Sequence, residues 1–185
     1  VQGEEGTAAV YAYNTDADNT NNFYFVNCWW EPVRGHALYS DMSGDGGRNG
    51  RFQLVNCKFH GAQPKTDPRS TEYFIDGSWG LLKLVNCHFV HGERGHIRQQ
   101  QGSGNTVKLV NCNFRRYSEA CLDIDAKENY IANNSFWSQH GGPAIRLGPN
   151  AMETTVTGNI TGGTNPAIVV VSPKTAVTGN VVDFD

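Results

Sequence analysis

The chain has 185 residues, of which 38% are hydrophobic and 18% charged, so it can fill the core of one domain. Its formal net charge of −3 argues against a basic surface of the kind that binds nucleic acid. No stretch is apolar enough to span a membrane and the first residues do not resemble a signal peptide, so no membrane insertion is predicted.

The composition favours strands and tight turns over helices. The chain contains 21 glycines and is rich in Asn, and both residues tolerate the positive φ angles at which strands bend. We therefore expect an all-β protein in which residues 1–185 form a single domain. Because no initiator Met is present, we also expect this domain to be a fragment or a processed part of a longer chain.

One short sequence occurs four times along the chain. The four copies are Phe25-Val26-Asn27-Cys28, Leu54-Val55-Asn56-Cys57, Leu84-Val85-Asn86-Cys87 and Leu109-Val110-Asn111-Cys112. A recurrence roughly every 20 to 30 residues is typical of stacked structural units, so the fold must be settled before any motif is interpreted as chemistry.

The repeat continues in altered form to the end of the chain. Its bend position is occupied by Asn27, Asn56, Asn86, Asn111, Asn133, Gly158 and Gly179. Asn and Gly enter left-handed backbone conformations most easily, so this column predicts one recurring bend. The next position is Cys in the first four copies and Asn in the last three, which predicts an Asn ladder; the sequence leaves open whether Asn133 or Asn134 joins it.

The five cysteines do not resemble a disulfide framework or a metal site. Four of them belong to the repeat, and no Cys or His spacing is typical of zinc ligands. We therefore expect free, buried thiols, no metal site and no cofactor.

A second apolar column follows the bends. It contains Leu38, Ile75, Ile97, Leu122, Ile145 and Ile168. Two insertions, residues 43–50 and 62–69, lengthen the second and third units. Insertions of this kind collect on one face of a solenoid, which is often the binding face.

These registers predict a parallel β-helix of about seven coils. The bend column, the ladder and the apolar stacks resemble the right-handed parallel β-helix, or pectin-lyase-like, superfamily over nearly the whole chain. The resemblance implies a polysaccharide-recognising protein of the kind found in phage tailspikes and secreted carbohydrate-active proteins, located outside the cell or on a virion surface. It leaves open whether the chain is an enzyme, and the sequence lacks the polygalacturonase, alginate-lyase and pectate-lyase catalytic patterns.

Strand alternation turns the residue after each position of the second apolar column outward. This outward column contains Tyr11, Tyr39, Asp76, Arg98, Asp123, Arg146 and Val169. A parallel column two residues further on contains Tyr13, Asp41, Ser78, Gln100, Asp125, Gly148 and Val171. Both columns change from aromatic through charged and polar to aliphatic along the axis.

The candidate site residues come mostly from these columns. Asp123 and Asp125 lie two residues apart on one strand face, about 6.6 Å, a separation that suits an acid and a base in an inverting glycosidase. We name Asp123, Asp125 and Asp76 as candidate catalytic residues. The candidate substrate-binding residues are Arg98, Arg146, Tyr39, Asp41, Tyr11, His96, Gln100 and Trp29.

Two alternatives stay open at this stage. The alternating Asp and Arg residues equally suit a structural ladder of surface ion pairs. The whole chain equally suits a non-catalytic structural or adhesive solenoid that forms trimers or stacks end to end. Trp79 and Trp137 lie near bends, and the sequence does not decide whether they are buried.

Overall fold

In a computed structural model, the chain is an all-β solenoid, which confirms the predicted parallel β-helix. The structure describes residues 8–13, 21–31, 35–41, 50–61, 73–92, 94–99, 106–164 and 166–183. The described strands form three sheets of seven strands, and neighbouring strands within each sheet run parallel. Successive strands belong to the first, second and third sheet in turn, so each passage through the three sheets makes one coil.

The strands are numbered in chain order. The first sheet contains β1 (Ala8–Tyr13), β4 (His36–Asp41), β7 (Ile75–Gly77), β10 (Ile97–Gln99), β13 (Leu122–Ile124), β16 (Ile145–Leu147) and β19 (Ile168–Val170). The second sheet contains β2 (Asn21–Val26), β5 (Gly50–Val55), β8 (Leu81–Val85), β11 (Thr106–Val110), β14 (Tyr130–Ala132), β17 (Thr154–Thr157) and β20 (Thr175–Thr178). The third sheet contains β3 (Trp29–Trp30), β6 (Lys58–His60), β9 (His88–Val90), β12 (Asn113–Arg115), β15 (Ser135–Gly141), β18 (Ile160–Thr164) and β21 (Val181–Asp183).

The predicted bend column separates the second sheet from the third. All seven predicted bend residues have positive φ angles, between 54° and 63°. Only Gly and, at modest cost, Asn adopt this conformation readily, which explains why no other residue type occupies the column. The prediction of one recurring bend per coil is confirmed.

The residue after each bend forms a hydrogen-bonded ladder inside the solenoid. Asn134 accepts a hydrogen bond from the amide of Cys112 at 2.8 Å, and Asn159 accepts one from the amide of Asn134 at 2.9 Å. Asn180 continues the ladder by accepting from the amide of Asn159 at 2.9 Å. The structure therefore assigns Asn134, rather than Asn133, to the ladder.

The cysteines extend the same ladder through the earlier coils. The Cys57 thiol donates to the carbonyl of Phe25 at 3.4 Å, and Cys87 donates to the carbonyl of Leu54 at 3.4 Å. The Asn134 amide donates to the equivalent carbonyl of the preceding coil, that of Leu109, at 3.1 Å. All five cysteines are free, as predicted, and burial raises the pKa of Cys57 to about 11.

Aromatic rings fill the core next to the third sheet. The inward column contains Trp30, Phe59, Phe89, Phe114 and Phe136. Its consecutive ring centroids are 5.8, 4.4, 4.9 and 5.0 Å apart, with the rings close to parallel. These rings and the aliphatic residues of the other two sheets make one continuous core, so the side chains left for function point outward.

In the part of the chain that the structure describes, no helix is long and apolar enough to cross a membrane.

Candidate functional site

The outer face of the first sheet carries the predicted outward column. The strand register aligns Tyr11, Tyr39, Asp76, Arg98, Asp123, Arg146 and Val169 on successive strands. The register is thus confirmed for the whole column. The side chains within it differ in exposure and in the partners they contact, and these differences decide what each can do.

Two tyrosines form the aromatic end of this face. The rings of Tyr11 and Tyr39 are stacked, with centroids 5.4 Å apart and planes 16° apart. Tyr11 is 60% exposed, whereas Tyr39 is half-buried and also contacts the His36 ring at 5.5 Å. The stack therefore presents one broad aromatic surface to solvent at the end of the column.

Asp76 and Arg98 form an ion pair with a buried carboxylate in the middle of the column. The Arg98 guanidinium binds the carboxylate in a bidentate manner, at 3.0 Å from Nε to Oδ1 and 2.5 Å from Nη2 to Oδ2. Asp76 is only 1% exposed, and His36 lies 3.7 Å away on its other side. Asp76 was predicted as an outward catalytic residue; its place in the column is correct, but its carboxylate is covered and held by Arg98.

Tyr73 packs its ring against the Arg98 guanidinium of this pair. It precedes β7, is 2% exposed, and its ring lies 4.8 Å from the Arg98 guanidinium carbon. Burial, followed by the negative charges of Asp123 and Glu119, raises the pKa of Tyr73 to about 12. Sequence reasoning missed this residue, because it lies outside the repeat and directly after the insertion.

Asp123 and Arg146 form a looser pair further along the column. Arg146 Nη1 lies 3.3 Å from Asp123 Oδ2, and the two side chains are 42% and 30% exposed. Solvent reaches both groups, so this pair can exchange partners more easily than the buried pair. Arg146 is the more exposed of the two arginines, and Asp123 is far more exposed than Asp76.

Asp125 holds the turn of the next coil. Its Oδ1 accepts a hydrogen bond from the backbone amide of Asn150 at 2.8 Å, and its Oδ2 accepts one from the Asn150 side chain at 2.9 Å. The same carboxylate lies so close to Gly148 that a Cβ at that position would collide with Oδ1. Both oxygens of this predicted catalytic residue are therefore engaged in a structural contact.

His96 was predicted to contact substrate, and this prediction is wrong. The residue is 0% exposed and lies in the core, with its ring stacked on Phe74 at 5.5 Å. Its Nε2 lies 3.1 Å from the carbonyl oxygen of Arg115, and burial lowers its pKa to about 3. Because it directly precedes β10, strand alternation gives no orientation for its side chain, and its ring fills the core beside Phe89 and Phe114.

The remaining predicted residues are spread over different places. Asp41 is half-buried at the end of β4, opposite Tyr13 in the register. Trp29 is 65% exposed as predicted, but it belongs to the third sheet. Gln100, residues 43–49 of the first predicted insertion and the whole of the second, 62–69, lie outside the described residues.

The sequence left open whether Trp79 and Trp137 are buried, and the structure answers this for both. Trp79 is fully buried, whereas Trp137 is 49% exposed on the outer face of β15. The inward position of Phe136 determines this orientation, because neighbouring strand residues point to opposite faces. Extending the alternation from Phe136 by one residue would have identified Trp137 as outward.

Among the described residues, no group of three or more His, Cys, Asp or Glu side chains is arranged to hold a metal ion. The chain matches no family model, no curated protein and no solved structure. The structure shows the parallel β-solenoid fold alone, and assignment to the pectin-lyase-like superfamily stays a prediction.

Proposed function

We propose that this β-helix recognises a polysaccharide with acidic groups along the outer face of its first sheet. One observation carries the proposal: the stacked rings of Tyr11 and Tyr39 stand in the same outward column as Arg98 and Arg146. Exposed aromatic rings pack against the apolar faces of sugar rings, and guanidinium groups bind carboxylates or sulfates. The column thus combines both kinds of contact in a single line.

The dimensions of the column suit an extended chain. Tyr11 and Arg146 are separated by five strand spacings, which at about 4.8 Å each amount to roughly 24 Å. A linear oligosaccharide lying along the solenoid axis would contact the aromatic end and the charged part together. Recognition spread over several sugar units in this way needs no deep pocket.

The arrangement of the carboxylates favours binding without cleavage. An inverting glycosidase needs one carboxyl group to protonate the leaving oxygen and another to activate water. Here Asp76 is buried against Arg98, and Asp125 is bound by Asn150 through both oxygens. Asp123 and Asp125 are both half-buried, but of the two only Asp125 has both oxygens engaged by Asn150. Asp123 is therefore the one available carboxylate of the three, and one carboxylate does not supply an acid and base pair.

Affinity electrophoresis through gels containing a polyuronate tests the proposal. Tyr11→Ala should migrate faster than the wild type, because it loses the more exposed ring of the stack. The matched control is Tyr24→Ala, which removes a 65% exposed tyrosine from the second sheet and should leave the retardation unchanged. Equal retardation of Tyr11→Ala and the wild type would count against binding at this face.

A separate assay distinguishes binding from cleavage. The wild-type chain should release no new reducing ends or unsaturated products from the polysaccharides that it binds. Cleavage by the wild type that disappears in Asp123→Asn, with folding intact, would contradict binding without catalysis and establish the hydrolase or lyase alternative.

A further inference from the structure

The outer face of the third sheet contains a second surface with the character of a binding site. Trp137 on β15 pairs in the register with Gly162 on β18. A Cβ added to Gly162 would come within 2.5 Å of Cζ3 and 2.6 Å of Cε3 of the indole, so the six-membered ring lies over the glycine backbone. Glycine is therefore required for the indole to lie down on the sheet. With one side of the ring resting on protein and 49% of the residue exposed, the indole forms a platform open to solvent.

A cation stands directly beside this platform. Arg115 on β12 is the register neighbour of Trp137, is exposed, and forms no ion pair with a described residue. The outward positions of β6, β9, β12 and β15 from Lys58 to Trp137 contain no acidic side chain; they are Lys58, His60, His88, Val90, Asn113, Arg115, Ser135 and Trp137. Burial, followed by the positive charges of Arg115 and Lys58, lowers the pKa of His88. On these four strands the outward charged side chains are thus all cationic, although the whole chain carries a net charge of −3.

Trp29 on the same face provides a contrast. It is more exposed than Trp137, at 65%, but the Lys58 ammonium lies 4.4 Å from its ring centroid. That cation already occupies one face of the Trp29 ring. At Trp137 the neighbouring cation stands beside the platform on the preceding strand and lacks an anionic partner among the described residues. This combination calls for a ligand with a flat apolar surface and an attached negative charge.

We infer that Trp137 and Arg115 form a subsite for one acidic sugar unit, a uronate or a sulfated sugar, on the third sheet. The pyranose ring packs its C–H face on the indole, and its carboxylate or sulfate binds the guanidinium of Arg115. The subsite is separate from the first-sheet face and does not depend on binding there. A single-stranded nucleic acid also combines flat rings with negative charge, but its affinity depends on several phosphate contacts along a basic track, and the exposed cations here are few.

Nuclear magnetic resonance of the indole N–H groups of the intact chain tests the subsite. The chain has four tryptophans, and the Trp137 resonance is assigned by its loss in Trp137→Phe. The probes are oligogalacturonate, oligomannuronate and a heparin-derived oligosaccharide, each added to millimolar concentration. We expect at least one of them to shift the Trp137 resonance in a saturable manner while the Trp29 resonance moves little.

Three variants distinguish this subsite from binding elsewhere on the chain. Arg115→Gln should weaken binding of the charged probe about tenfold. A methyl-esterified oligogalacturonate has no carboxylate for Arg115, so Arg115→Gln and the wild type should bind it with the same affinity. Gly162→Ala should weaken binding by displacing the indole while keeping it in the chain. Tyr11→Ala should leave the titration of the Trp137 resonance unchanged. The test of this subsite is therefore independent of whether the first sheet binds a polysaccharide.

Two results would overturn the inference. One is the absence of any saturable shift of the Trp137 resonance with all three acidic probes. The other is a shift produced by an oligodeoxythymidylate but by none of the oligosaccharides, which would identify the surface as a nucleic-acid site instead.

Discussion

The outer faces of the first and third sheets both carry aromatic and charged side chains, but they use their charges differently. On the first sheet, Arg98 and Arg146 bind the aspartates of the preceding coil. On the third sheet, Arg115 has no ion-pair partner among the described residues and stands beside the Trp137 platform. The same solenoid geometry thus produces a face that neutralises itself in part and a face that leaves a cation accessible.

This difference shows how a charged column on a solenoid is to be interpreted. Residues on successive coils lie about 4.8 Å apart, so opposite charges in one column can pair with each other. The main role of such a pair is to stabilise the stacked coils, and it can contribute to ligand binding only where it is exposed. A cation with no acidic neighbour has no such structural partner, and its function is to be sought in a ligand.

The largest expected effect comes from breaking the buried pair of the first sheet. Arg98→Ala should lower the free energy of unfolding by about 3 to 5 kcal/mol, because the covered carboxylate of Asp76 loses its bidentate guanidinium. Urea titration followed by circular dichroism measures this loss. Adding Asp76→Asn to Arg98→Ala removes the buried negative charge and should restore part of the stability. A loss below about 1 kcal/mol in Arg98→Ala would mean that Asp76 is solvated, and the two faces would then resemble each other.

The next effect is acid sensitivity that originates in the core and affects neither face directly. The folded chain holds the pKa of His96 at about 3, against an ordinary value of 6.5. Between these values the unfolded chain binds a proton that the folded chain does not, so stability is present above pH 6.5 and falls as the pH drops towards 3. The slope from this residue should approach about 1.4 kcal/mol per pH unit.

His96→Phe is the matched variant for this prediction, since a phenyl ring suits the aromatic stack. Its free energy of unfolding should depend less on pH between 6.5 and 3 than that of the wild type, as measured by urea titrations at several pH values. Identical pH dependence of the two chains would show that other groups cause the acid sensitivity.

A smaller effect is expected at Asp125. Asp125→Ala removes both hydrogen bonds to Asn150 and should lower the free energy of unfolding by about 1 to 3 kcal/mol, while leaving polyuronate retardation unchanged. Asp125→Asn, which keeps one acceptor oxygen, should lose less. If the wild type cleaves a polysaccharide and Asp125→Ala loses that activity while keeping full stability, Asp125 is a catalytic residue and this interpretation is wrong.

The smallest effect on stability separates the two faces most clearly. Arg115→Ala should change the free energy of unfolding by less than about 0.5 kcal/mol, since it is exposed and unpaired among the described residues. Arg146→Ala should cost less than about 1 kcal/mol, because its pair with Asp123 is open to solvent. If Arg115→Ala proved as destabilising as Arg98→Ala, the inferred contrast between the sheets would be wrong.

The sequence predicted the fold closely because every coil repeats the same local requirement. A bend that needs positive φ favours Asn and Gly, so the column from Asn27 to Gly179 is visible in the sequence alone. The outward register of the first sheet followed from that column by strand alternation alone.

The exposure of individual side chains could not be predicted in the same way. Asp76 points outward by register, yet Arg98 and His36 lie against its carboxylate and it is only 1% exposed, which strand alternation alone does not predict. His96 precedes its strand, where alternation gives no orientation, and its ring turned into the core. Trp137 was within reach of the pattern, since Phe136 fixes its orientation, but its contact with Gly162 depends on the neighbouring coil.

The central claim is that the outer face of the first sheet binds an acidic polysaccharide. At 20.3 kDa the chain suits amide chemical-shift mapping, with an oligouronate of about six units as the ligand. We predict saturable shifts at Tyr11, Tyr39 and Arg146 and little change along β2, β5 and β8 of the second sheet. An unperturbed first sheet at millimolar ligand, or shifts confined to the second sheet around Tyr24, would contradict the claim.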